Sequence, residues 1–92
     1  MTIKQLVEKY VRNAQQVFQR MKIKSLRKTE AEKVLDYAKR YLEDAIYYRD
    51  QKRFETALAS IAYCEGLLDA LKLLGIVDFE WHRENMEEKS GP

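Results

Sequence analysis

The stretch Tyr41-Leu-Glu-Asp-Ala-Ile-Tyr-Tyr-Arg-Asp-Gln-Lys-Arg-Phe-Glu-Thr-Ala-Leu-Ala-Ser-Ile-Ala-Tyr-Cys-Glu-Gly-Leu-Leu-Asp-Ala-Leu-Lys-Leu-Leu-Gly75 decides the fold. Tyr41, Leu42, Ala45 and Tyr48 precede the polar run Asp50-Gln-Lys-Arg53. Phe54, Ala57, Leu58, Ile61, Ala62, Cys64, Leu67, Leu68, Leu71 and Leu74 follow it. Both sets recur at helical spacing, so each segment carries an apolar stripe on an α-helix. A connection this short sends the later helix back antiparallel to the earlier one. The later helix has the wider apolar arc and is expected to lie most centrally. Gly75 stands where a helix ends on a left-handed residue.

Working outward, Ala31, Val34, Leu35 and Ala38 extend the earlier helix back toward Thr29, which forms a capping box with Glu32; Ser25 is a rival start. A first helix opens on the capping box Thr2 with Gln5. Its stripe is Ile3, Leu6, Val7, Tyr10, Ala14, Val17, Phe18 and Met21, which predicts a helix to about residue 23. Lys22 to Lys28 breaks the pattern and reads as a connection. Asp78 can cap a short last helix holding Phe79, Trp81 and His82, and Glu80 to Pro92 is polar. The expected fold is all-α: an antiparallel, up-down-up three-helix bundle with a short C-terminal helix or turn. Residues 1–86 form one domain in this reading, and 87–92 a frayed tail.

Composition narrows the function. At 46% hydrophobic residues the chain has enough apolar side chains to fold. Its 17 basic and 15 acidic residues are interleaved and leave a net charge of only +2, which weighs against generic adhesion to nucleic acid or membranes. One cysteine cannot close an internal disulfide. No apolar run approaches the roughly 20 residues that span a bilayer, and Met1 to Tyr10 lacks a secretory pattern. The expected location is the cytoplasm.

Ala38, Tyr41, Asp44 and Ala45, followed by Ala57-Leu-Ala, Tyr63, Gly66, Leu68-Asp-Ala70 and Leu74-Gly75, resemble the archaeal domain-of-unknown-function family 357. The resemblance is carried by Ala38 to Gly75; the first helix matches by length and pattern alone. It implies a small three-helix bundle with no assigned activity. In some relatives such a domain looks appended to a nucleotidyltransferase-like enzyme, which implies an accessory role. The family often has Ala-His before the glycine, and here the pair is Cys64-Glu65.

Five polar residues are candidates for a site: Tyr41, Asp44, Tyr63, Glu65 and Asp69. Glu65 and Asp69 are four apart and share a helix face, and the antiparallel turn brings Asp44 toward them. Such acids first suggest partners for Lys, Arg or tyrosine hydroxyls at the bundle edge. The alternative is a set of oxygen ligands for a hard divalent cation. Tyr41, Tyr48 and Tyr63 are expected to bury their rings and offer hydroxyls to Asp44 or Asp69. Ala59, Ala62, Gly66 and Ala70 set small side chains at helical spacing, a face for close approach of another helix. The first helix of this chain is the favoured neighbour, and another subunit the alternative.

Lys22, Lys24, Arg27 and Lys28 are a small basic cluster, read as a solvated connection before a phosphate contact. Cys64 reads as a small buried residue. Trp81 is expected to fold over the open end of the bundle. The single histidine, His82, makes no metal site alone. No phosphate loop, zinc motif or cysteine pair occurs. No catalytic residue, metal or cofactor is therefore assigned. The expected function is a non-enzymatic interaction or accessory module whose partner is another protein or a second copy. A ligand- or metal-binding bundle and a weak nucleic-acid accessory are the alternatives.

Overall fold

The computed structural model describes residues 1–25 and 29–81. Three helices follow in order: α1 at Ile3–Arg20, α2 at Thr29–Asp50 and α3 at Phe54–Leu73. Two short strands join them, β1 at Lys22–Ile23 and β2 at Val77–Asp78. The antiparallel three-helix bundle expected from the periodicity is the fold. α3 packs most extensively on α2 and next on α1, while α1 and α2 touch least.

Each helix is bounded by recognisable chemistry. The Thr2 capping box is formed: the Gln5 N–H donates to Thr2 Oγ1 at 3.1 Å, and the Thr2 N–H donates to Gln5 Oε1 at 2.9 Å. The Thr29 capping box depends on a side chain outside the described residues, as do Arg27, Lys28, His82 and the tail at 87–92.

α2 and α3 end in the same way. Lys52 is left-handed, with φ of 63°; its N–H donates to the Arg49 carbonyl at 2.9 Å, and the Arg53 N–H reaches the Tyr48 carbonyl at 2.9 Å. At the end of α3, Gly75 has φ of 77°, its N–H donates to Lys72, and Ile76 donates to Leu71, both at 3.0 Å. This paired arrangement satisfies the carbonyls that a helix end leaves over. The turn after α2 thus adopts a left-handed residue without a glycine to ease it.

The core is drawn from all three stripes: Val7, Val11, Ala14 and Val17 of α1, Leu35, Ala38, Leu42 and Ala45 of α2, and Ala57, Ile61, Cys64, Leu68 and Leu71 of α3. Burial pushes the Cys64 thiol up to about 12, with the Glu65 charge adding to the effect. Two members of the expected α3 stripe, Ala62 and Leu74, are exposed instead. α1 and α2 together cover most of the arc and leave these two positions open.

α1 stops at Arg20, short of the predicted end, because Met21 turns extended and the chain enters β1. Lys22 pairs with Asp78 and Ile23 with Val77, antiparallel, and the Lys24 N–H adds a bond to the Ile76 carbonyl at 2.8 Å. Asp78 is therefore a strand residue rather than a helix cap, and Phe79 to Trp81 are not helical; the rest of the expected last helix, from His82, lies outside the described residues. Val77 and Phe79 are buried on the end of the bundle. Trp81 folds back as expected: its indole N–H donates to Asp69 Oδ1 at 2.7 Å, and its ring meets Phe79 edge-on, centroids 5.1 Å apart. Lys72 closes the other side, donating to the Phe79 carbonyl at 2.6 Å.

Candidate docking site on the open face of the third helix

α3 differs from the other helices in having almost no polar face. From Ala59 to Leu74 its only charged side chains are Glu65, Asp69 and Lys72. Asp69 and Lys72 are both tied to the C-terminal segment, through Trp81 and Phe79. Glu65 is half-buried; burial, and then the neighbouring Asp69 charge, push its carboxyl up to about 6. Between Ala59 and Leu74 α3 thus carries three charged side chains, and two of them serve the C-terminal segment.

The exposed side bordered by Asp69 carries Ala59, Ala62, Gly66, Ala70, Leu73 and Leu74. Leu73 is 87% exposed and Leu74 74%. A side chain added at Gly66 would meet nothing within 4 Å. The small-residue face was expected to receive α1, and it does not: Ala59, Ala62, Gly66 and Ala70 are exposed, and no atom of the described residues beyond its own helix lies within 4 Å of a side chain built at Gly66. The cost of a mid-helix glycine, about 1 kcal/mol against alanine, is not offset by packing among the described residues.

Two shallow hollows mark the surface and meet at Leu67. One, of about 480 Å³, is lined by Ala59, Ala62, Tyr63, Gly66 and Leu67. The other, of about 630 Å³, lies between α2 and α3, against Val34, Leu67, Ala70, Leu71, Leu74 and Ile76. Beside them the Tyr41 and Tyr63 rings stack, centroids 5.1 Å apart and 16° from parallel. Tyr63 is 63% exposed, so it does not bury its ring as expected. Among the described residues no tyrosine hydroxyl bonds to Asp44 or Asp69; Trp81 takes Asp69.

Glu65 and Asp69 lie close enough for their charges to interact. Asp44 is exposed on α2. Among the described residues no group of three His, Cys, Asp or Glu side chains is arranged to hold a metal ion, so the carboxylate alternative finds no centre. Of the basic cluster, Lys22 and Lys24 are exposed at β1. No helix among the described residues is long and apolar enough to cross a membrane.

Sequence reasoning missed Leu73 as part of this surface. A signal was present. A helix with so few charges from Ala59 onward has more apolar surface than two neighbours can cover.

The family described as a protein of unknown function, DUF357, matches residues 9–77, from within α1 through the start of β2. The match spans most of the chain, and the chain belongs to that family. No curated protein and no solved structure matches it.

Proposed function

We propose that this member of the family is a non-enzymatic cytoplasmic module that docks another protein, itself included, on the open face of α3. One observation carries the reading: a row from Ala59 to Leu74 that is apolar, uncharged and exposed on an otherwise well-packed bundle. Contiguous apolar surface of this kind marks contact sites, because single exposed leucines need no explanation but a continuous row does. Small residues along it let a partner backbone come close, and the hollows beside Gly66 and Ala70 offer seats for its larger side chains. Docking would work by burial of apolar area, with the charged rim setting register.

Gly66→Arg tests the proposal. Open space around Gly66 leaves the fold intact, while a long charged side chain stands in the middle of the face. The variant is expected to keep its helical circular dichroism and a cooperative melt while losing the proteins that co-purify with the tagged wild type from its native cell. Retention of every associate by a folded Gly66→Arg chain would remove the face from the contact.

A further inference from the structure

We infer that the occupant of this face is a second copy of the chain, packed antiparallel about a two-fold axis that passes through Gly66. The inference rests on the docking reading and names its partner.

The face is its own complement. Along α3 its members fall at 59, 62, 66, 70 and 73, spacings of three, four, four and three that read the same in both directions from Gly66. A two-fold contact requires that residue i meets j wherever j meets i. Reversal about Gly66 brings Leu73 of each copy beside Ala59 of the other, and Ala62 beside Ala70. The most exposed large side chain of the face then stands against one of its smallest. The glycines meet at the axis, where two backbones approach closest.

Charge gives the independent argument. The Tyr41–Tyr63 stack fixes the level of α2 against α3. Since the two helices run in opposite directions, Gly66 lies level with Ala38. One exposed row of α2 is Lys33, Tyr37, Arg40 and Asp44, at spacings of four, three and four around that level. Reversal sets Lys33 of one copy against Asp44 of the other, and Arg40 against Tyr37. Cation meets anion, and guanidinium meets a ring of the kind it already covers within its own chain, at 5.9 Å. A parallel arrangement would set Lys33 on Lys33 and Asp44 on Asp44.

The chain's own tail is a poor rival. The described chain leads to Trp81, which is committed to Asp69 and Phe79. Residues 82–92 contain one large apolar side chain, Met86.

Sedimentation equilibrium of the full chain tests the pairing. The wild type is expected to be a dimer. Lys33→Glu and Asp44→Lys, each alone, turn both cross-copy pairs repulsive and weaken association about tenfold. Mixed in equal amounts, the two variants restore both pairs in a heterodimer, and the mixture recovers the wild-type affinity. Gly66→Arg stays monomeric and folded. A wild type that remains monomeric at about 1 mM, charge variants that dimerise as the wild type does, or a mixture no tighter than its parts overturns the second copy. None of these touches the broader docking reading, which falls only if folded Gly66→Arg keeps its cellular associates.

Discussion

The two sides of α3 are built from similar residues and do opposite things. On one side Ala57, Ile61, Cys64, Leu68 and Leu71 are buried to within 1% exposure. On the other Ala59, Ala62, Gly66, Ala70 and Leu73 are open. Both rows are apolar at helical spacing, so a periodicity analysis merges them into one wide arc. What separates them is size. The covered side holds the bulky Ile61, Leu68 and Leu71, which fill an interior. The open side is mostly alanine and glycine, which fill little but let a backbone approach. Apolar width alone says that a helix seeks cover on many sides; the distribution of volume says which cover the chain itself supplies.

The sharpest way to break this comparison is to cut the same side-chain volume from each row. Leu68→Ala empties a fully buried position between α1 and α2 and is expected to cost about 2–5 kcal/mol, read as a lowered urea midpoint. Leu73→Ala removes the same atoms from the open row and is expected to change monomer stability by less than about 0.5 kcal/mol. Equal losses from the two would mean that the rows are not different.

Glu65 lies at the seam between the sides and probes it through pH. Its carboxyl is raised from 4.5 to about 6, by burial first and by Asp69 second. Between those values the folded chain holds a proton that the unfolded chain has lost, so folding gains stability as pH falls through 6 and the gain is complete below 4.5. At pH 7 the charged form is a burden. A shift of this size converts to about 2 kcal/mol, and partial solvent exposure of Glu65 reduces it to about 1 kcal/mol. Glu65→Gln is therefore expected to stabilise the protein by about 1 kcal/mol at pH 7 and to lose that advantage near pH 4. A constant difference across the range would assign the effect to packing.

The sequence reveals the covered side well because burial leaves a redundant record. The Thr2 cap and the Gly75 terminus each have a residue type that points to one geometry. The strands β1 and β2 left no such record: two residues each are too few for an alternating pattern, and Asp78 serves a helix cap and a strand equally well as a residue type. Within the candidate site, Ala59, Ala62, Gly66 and Ala70 were legible as a contact face because glycine inside a helix is costly without a reason. That the face points away from α1 was not legible, since a stripe shows its own periodicity and not the direction of its neighbour. The tyrosine and acid cluster misled for a related reason. Tyr63 next to Cys64 reads as core by composition, yet one step along a helix turns a side chain by about 100°, enough to carry it from the interior to the surface.

The smallest effect sharpens the comparison furthest, because its sign differs between the monomer and the pair. Gly66→Ala adds one methyl where nothing lies within 4 Å. Helix propensity then favours the variant by about 1 kcal/mol at most, seen as a higher melting temperature at concentrations where the chain is monomeric. In an antiparallel pair two such methyls face each other at the axis and hold the backbones apart. The gain in melting temperature is expected to shrink, or reverse, as protein concentration rises. A gain independent of concentration would place Gly66 away from any self-contact and leave its presence in mid-helix to a different partner.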